Sequence, residues 1–374
     1  MPFDLPKTTQ LLRDGIAAGQ HIGVQMCVSR NNELIADLAL GESRPGIPLT
    51  DQTLMLWMSA GKPITAAAIA QLWERSKLSL DDPVAHFIPE FAQHGKDRIT
   101  IRHCLTHTAG FRGPLNNFTN GTWEQIIARI CAMRPEPSWP PGEKAGYHVA
   151  TSWFILGEII HRVGGQNYSD YLHDNISQPL DMTDTHIGMS AQQYTAYGNR
   201  LALIPTTEAS KINFDIPANT PEATIIPRPG ANLRCPANQF IKFYHALSAF
   251  LGLSTVEGRI QNSRFLSSQT IEAITAPHRV YMHDHTFNAN IDWSLGFLIN
   301  TVPYSPTTPY LYGPHASRHT FGHSGNQCSV AFADPKYGLA VCLAFNGMPG
   351  EAMHQVRVRE TLTTLYEELA LTSS

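Results

Sequence analysis

Leu56-Trp57-Met58-Ser59-Ala60-Gly61-Lys62-Pro63-Ile64-Thr65-Ala66-Ala67-Ala68-Ile69-Ala70 sets a serine and a lysine three residues apart at the head of an apolar run. Ala66 to Leu72 is rich in strong helix formers, and Pro63 is tolerated only in a first turn, so a helix begins close to Ser59. Residues three apart share a helix face, which brings the Lys62 amine within reach of the Ser59 hydroxyl. The unpaired N–H groups and positive end of the helix favour negative charge there. A hydroxyl is a weak nucleophile until a base takes its proton, and a buried lysine with a lowered pKa can be that base. The same pattern also arises by accident, with serine as an N-cap and lysine in solvent, so the rest of the chain must supply a second proton carrier and an oxyanion hole.

Two stretches offer them. Trp139-Pro140-Pro141-Gly142-Glu143-Lys144-Ala145-Gly146-Tyr147-His148-Val149-Ala150-Thr151 is a Pro/Gly-rich turn leading into a helix, with Tyr147 at its mouth. A tyrosine near two cations can ionise below its usual pKa, take the serine proton and return it to a leaving group; the alternative is a buried tyrosine bonded to backbone. Thr320-Phe321-Gly322-His323-Ser324-Gly325-Asn326-Gln327-Cys328 reads as a strand whose glycines let another backbone come close. His323 can bind or polarise a substrate, and the Asn326 N–H can join the Ser59 N–H in an oxyanion hole. Gly322-His323-Ser324 also hints at the elbow Gly-x-Ser-x-Gly, but Asn326 holds the last glycine position and the following residues are strand-like, so the elbow's strand–turn–helix context is missing.

At 374 residues and 43% hydrophobic content the chain can bury a large core. A net charge of −4 with only 16% charged residues, and no long basic or acidic run, argues against nucleic acid or an anionic membrane as partner and for a small molecule. The start, Met1-Pro2-Phe3-Asp4-Leu5-Pro6-Lys7, lacks the features of a secretory signal, and no apolar stretch is long enough to span a bilayer, which reads as a cytoplasmic protein. Cys27, Cys104, Cys131, Cys235, Cys328 and Cys342 form no Cys-x-x-Cys pair and read as buried free thiols, with Cys328 a minor candidate nucleophile. His103 and His107, and His315, His319 and His323, have i, i+4 spacing, but no His-Glu-x-x-His or carboxylate ligand set accompanies them, so no metal or other cofactor is expected.

Helical spacing from Thr8 to Ala18 precedes two strands, His21 to Ser29 and Glu33 to Leu40, joined by the turn dipeptide Asn31-Asn32. The middle of the chain is helical, including Trp123 to Met133 and Thr151 to Val163. Periodicity is lost between Met189 and Arg228, a composition suited to an excursion bordering a cleft. A helix from Asn238 to Phe250 follows, then strands at Trp293 to Asn300, His319 to Phe321, Gln327 to Ala333 and Leu339 to Phe345, and a last helix from about Ala352 to Leu369. The expectation is a single α/β (α+β) domain over 1–374. An antiparallel sheet from about 1–58 and 230–374, flanked by the terminal helices, would carry an inserted all-helical lobe of about 59–229.

Ser59-Ala60-Gly61-Lys62, then Tyr147, then His323-Ser324-Gly325, in that order, resemble the three motifs of the serine β-lactamase-like family, which includes class C β-lactamases, D,D-peptidases and family VIII esterases. Leu80-Asp81-Asp82-Pro83-Val84, the stretch from Ile99 to Gly110, and Trp293-Ser294-Leu295-Gly296-Phe297 are similar to the family too, so the resemblance spans nearly the whole chain. It implies an α/β sandwich plus helical lobe and an acyl-enzyme mechanism: Ser59 attacks, Lys62 and Tyr147 move protons, and the Ser59 and Asn326 N–H groups hold the oxyanion. His323, Ser324, Gly325, His148 and Val149 would then contact substrate. Lactamases and peptidases carry Tyr-x-Asn where Val149 stands here, and Lys-Thr-Gly where His323-Ser324-Gly325 stands. Both departures are similar to esterase-like members.

The expectation is therefore a serine hydrolase cleaving carboxylic esters of small molecules. The rivals are an acyltransferase of the same fold, a D-amino-acid peptidase or weak β-lactamase, and an inactive binding protein.

Overall fold

The computed structural model describes residues 5–113, 120–248, 265–301 and 312–372. Its framework is a seven-stranded antiparallel sheet in which both ends of the chain meet. The strand Gly23–Arg30 pairs with Leu339–Phe345 on one side and with Glu33–Arg44 on the other. Beyond Leu339–Phe345 come Ser329–Asp334, Phe321–Gly325 and the short strand Leu298–Ile299. The first hairpin closes at Asn31 and Asn32, with φ of 51° and 64°, a conformation asparagine tolerates better than most residues.

Strand alternation sorts the sheet's residues between two cores. Val24, Met26, Val28, Val341 and Leu343 face the terminal helices Pro6–Ala17 and Glu351–Glu368, joining Leu12, Leu362 and Leu365. Cys27, Ala331, Ala340, Cys342 and Ala344 face the other way. Their small side chains leave room for Phe240, Phe243 and Tyr244 of the helix Ala237–Ser248, and the Tyr244 hydroxyl donates to the Ala331 carbonyl at 2.8 Å. The last two residues of the expected helix to Phe250 lie outside the described residues.

The helix Lys62–Glu74 is buried from Lys62 through Leu72, and its alanines let the helix Thr151–Gly164 pack closely against it. A helix apolar all round belongs inside a structure, and this one runs from the site into the helical region. No helix among the described residues is long and apolar enough to cross a membrane. All six cysteines are free and buried.

The strand expected from Trp293 to Asn300 is reduced to Leu298–Ile299. Gly296 takes φ +90° and Trp293 pairs back onto Leu298, so the segment is a tight turn that takes Trp293 out of the sheet. The strand expected from His319 begins instead at Phe321, because the Thr320 N–H closes a turn on the Ser317 carbonyl. The region from Met189 to Arg228 holds only short helices, such as Ala191–Tyr197 and Pro221–Ile225.

One close approach sets the position of the site. A Cβ on Gly325 would lie 2.2 Å from the Trp57 carbonyl oxygen and 2.2 Å from Ser329 Oγ, so only glycine lets the strand Phe321–Gly325 lie against the segment that carries Ser59. Gly325→Ala is expected to cost about 1–3 kcal/mol, the usual range for overpacking. It should also reduce turnover by moving the strand away from Ser59. Chemical denaturation with an unchanged midpoint would show that this contact does not need glycine.

Candidate active site

The strand Met55–Met58 runs into a 3-10 turn, Ser59–Gly61, that continues as the helix Lys62–Glu74. Met58 has φ 49° and ψ −131°, a conformation that costs a non-glycine residue on the order of 1–3 kcal/mol and is tolerated only where packing enforces it. As the first residue of its turn, Ser59 has a backbone N–H with no intrahelical acceptor. Asn326 follows the closely docked Gly325 directly and is exposed in the turn that ends that strand.

Lys62 is completely buried. Its Nζ lies 2.9 Å from Ser59 Oγ, 3.1 Å from the Val149 carbonyl and 2.6 Å from the Gly230 carbonyl. None of these is an anion, so burial holds the Lys62 pKa well below its ordinary value near 10.5. A neutral amine has two hydrogens and one lone pair. In that form the two carbonyls, which can only accept, would take the hydrogens and leave the lone pair for Ser59 Oγ, whereas an ammonium donates to Ser59 Oγ as well. The sequence offered no sign of the Gly230 carbonyl. It comes from the end of the aperiodic region, and a Cβ on Gly230 would stand 3.0 Å from Nζ and 2.8 Å from Trp153.

Tyr147 lies in the segment before the helix Thr151–Gly164, with its hydroxyl hydrogen-bonded to Ser59. Lys62 Nζ is 5.1 Å from its ring centroid. The expectation that cations hold this tyrosine ionised is corrected. Burial raises its pKa above the ordinary phenol value, the Asp284 carboxylate raises it further, and its cationic neighbour is itself driven towards the neutral form. Its backbone N–H donates to Asp284 Oδ1 at 3.1 Å, and its ring stacks on Trp293 at 5.7 Å and lies 4.7 Å from His107.

His323 is buried beside them, its ring 6.0 Å from Tyr147 and 5.5 Å from Trp293. Its Nδ1 lies 2.6 Å from the Ser324 carbonyl, which can only accept, so Nδ1 carries the hydrogen and Nε2 presents a lone pair. Nε2 has no hydrogen-bond partner among the described residues. Burial pushes the His323 pKa down to about 3, so the ring is neutral near pH 7. Ser324 is half-buried and Gly325 buried on the same strand.

His148 is placed differently from the expectation. Its Nδ1 donates to the Gly146 carbonyl at 2.7 Å and its Nε2 accepts the Phe111 N–H at 3.2 Å. Both ring nitrogens are thus committed to main chain, and the side chain holds the wall of the site instead of facing a substrate. Val149 contributes its carbonyl to Lys62, and its half-buried side chain packs beside the terminal-helix core. Cys328 is buried, its thiol pushed up to about 12, so it is no thiolate nucleophile. Of the spaced histidines, His103 accepts the Thr100 N–H as part of a helix cap, His107 accepts the His148 N–H within the site, and His315 stands 3.8 Å from Glu367. Among the described residues no group of three or more His, Cys, Asp or Glu is placed to hold a metal ion.

The sequence reading did not assign roles to His107, Trp293 or Asp284. His107 stands in a family-like stretch and in a histidine pair weighed only for metal binding, Trp293 in a stretch marked only by its similarity to a family, and Asp284 has no local signal at all.

Comparison with known proteins agrees with this architecture. The sequence pattern of the family described as Beta-lactamase matches residues 8–365. Over 329 residues the chain is 24% identical to the Esterase/beta-lactamase LipL of Mycobacterium tuberculosis, covering 80% of this chain and 71% of that one. Among solved structures it is similar to a penicillin-binding protein homologue from Caulobacter crescentus, with 27% identity, a TM-score of 0.79 and coverage of 98% and 99%. It is also similar to a family VIII carboxylesterase, with 25% identity, a TM-score of 0.78 and coverage of 97% and 98%. With the match extending over nearly its full length, the chain belongs to the beta-lactamase family.

Proposed function

We propose that this protein is a serine hydrolase that cleaves carboxylic esters of small molecules through an acyl-serine intermediate. The observation that carries the reading is the buried Lys62 amine, 2.9 Å from Ser59 Oγ and within hydrogen-bond distance of two carbonyls, with no carboxylate partner among the described residues; as the free amine that burial favours, it turns its lone pair to Ser59 Oγ. Ser59 Oγ gives its proton to Lys62 Nζ and bonds to the ester carbonyl carbon, and the carbonyl oxygen takes up the negative charge between the Ser59 and Asn326 N–H groups. As the C–O bond breaks, the neutral Tyr147 phenol gives its proton to the departing alkoxide, and the Lys62 ammonium restores it. Water then attacks acyl-Ser59 by the same steps in reverse.

The acceptor side favours esters over lactams and peptides. Val149 has no side-chain amide to donate to an acylamide, and His323 offers a neutral ring with a lone pair where a carboxylate-bearing substrate needs a cation. Relatives named as an esterase/beta-lactamase and as a family VIII carboxylesterase support the reading.

Ser59→Ala should abolish ester turnover and any covalent adduct with a phosphonate inhibitor, read by mass spectrometry; an adduct on Ser324 or Cys328 in the parent would sink the assignment. Incubation with p-nitrophenyl esters of several chain lengths, with and without alcohols or amines, shows by the same readout which acceptor discharges the acyl group. Wild type should prefer p-nitrophenyl butyrate over nitrocefin, and Val149→Asn should shift the kcat/KM ratio towards nitrocefin by roughly tenfold to a hundredfold. A parent that prefers nitrocefin overturns the ester reading.

The buried amine also predicts a pH dependence of stability. Unfolded, Lys62 titrates near 10.5; folded, it titrates well below that, so between the two the unfolded chain holds more protons and stability rises with pH. Its contribution is complete above about pH 10.5 and is lost as pH falls towards the folded value. Urea denaturation should therefore show wild type gaining on Lys62→Met between pH 7 and pH 10. A constant difference would mean that Lys62 stays protonated in the folded protein.

A further inference from the structure

Asp284 and Arg279 form a buried ion pair at 2.9 Å, both side chains almost wholly shut off from solvent. Asp284 lies in the short strand His283–Asp284, which pairs with Ala289–Asn290 in a small hairpin outside the main sheet. One carboxylate oxygen, Oδ1, accepts three backbone N–H groups: Tyr147 at 3.1 Å, Thr286 at 2.9 Å and Phe287 at 3.1 Å. The other, Oδ2, accepts from Arg279 Nη2. Arg279 also donates to the Thr106 carbonyl, one residue before His107, and to the Ile291 carbonyl, each at 3.0 Å. Its guanidinium lies 5.4 Å from the Trp293 ring centre, and its main chain is bonded to Trp293 in both directions.

The main chain of Tyr147 and one face of its ring are thus tied to this pair. Asp284 holds its main chain, Trp293 stacks on its ring, His107 lies against the same ring one residue after the Thr106 carbonyl that Arg279 binds, and the Thr286 hydroxyl donates to the Tyr147 carbonyl at 3.1 Å. A buried ion pair is an expensive way to stabilise a fold, because desolvation of the two charges offsets most of their attraction. A carboxylate oxygen is, however, well suited to draw three N–H groups to one point.

We propose that Asp284, fixed by Arg279, is a positioning residue that sets the Tyr147 hydroxyl in register with Ser59 and the leaving group. The inference rests on the reading that Tyr147 protonates the departing alcohol. A misplaced proton donor harms an ester with a basic leaving group more than one whose leaving group needs no proton. A purely structural defect lowers both alike.

The test is kcat/KM for ethyl butyrate and p-nitrophenyl butyrate in Asp284→Asn, alone and combined with Tyr147→Phe. Asp284→Asn should lose about thirtyfold to a hundredfold on the ethyl ester and about three- to tenfold on the p-nitrophenyl ester, within the range for a displaced proton carrier. Combined with Tyr147→Phe it should add less than about twofold, because both changes remove the same interaction. Thr286→Val, at an exposed position, removes the bond to the Tyr147 carbonyl together with the one its hydroxyl accepts from Arg112 Nη1, leaves the Asp284–Arg279 pair intact, and should show the same leaving-group pattern at smaller size, which keeps the test open if Asp284→Asn does not fold. Equal losses on both esters, or a full additional loss in the Tyr147→Phe background, would overturn the positioning role alone. Near-parental activity of Tyr147→Phe on the ethyl ester would overturn both this inference and the role given to Tyr147.

Discussion

A lysine amine buried with no counterion among the described residues is the constraint around which this structure is organised. An ammonium at Lys62 would lose its hydration and find only neutral oxygens, so the folded state favours the free amine. That choice needs carbonyls from opposite sides: Val149 from the approach to one helix and Gly230 from the end of the aperiodic excursion. The surrounding packing supplies them. The alanine-rich helix Lys62–Glu74 admits the helix Thr151–Gly164 at close range, and Trp153 covers Nζ with its ring centre 5.4 Å away.

The same low-dielectric setting governs the neighbouring rings. Tyr147 is held protonated, while His107, His148 and His323 are held neutral, each chiefly by burial. The resting site is therefore a set of neutral groups whose hydrogen-bond directions are fixed by main chain. In the proposed reaction charge has to be created as the bond forms, at the oxygen that we assign to the Ser59 and Asn326 N–H groups. The buried charges nearby, Arg279 and Asp284, neutralise each other and hold the geometry of Tyr147 and Trp293.

Much of the framework was legible from local pattern. Alternating residues and the Asn31-Asn32 turn marked the first hairpin, and Leu339 to Phe345 was read with its observed bounds. The misjudged segments failed for local reasons. Gly296 breaks the run from Trp293 into a turn although the residues around it favour a strand, because one glycine at positive φ outweighs several weak propensities. His148 looked like a substrate contact because of its place next to Tyr147, yet both its nitrogens bond to backbone that is remote in sequence or invisible in composition.

The sequence alone determined which residues stand together at the candidate site and in what local frame. A serine and a lysine three apart at a helix start must share a face, and glycines along Phe321–Gly325 permit a close approach, because both follow from the geometry of a helix turn and of a residue without a Cβ. Only the tertiary structure decided their protonation and orientation. Whether Lys62 is an ammonium or an amine, whether Tyr147 is ionised, and which nitrogen of His323 is bare depend on desolvation and on acceptors such as Gly230 and Asp284, which lie 168 and 137 residues away along the chain from the side chain or main chain they bind. Burial and long-range hydrogen bonds are properties of the packed interior, and no local run of residues encodes them.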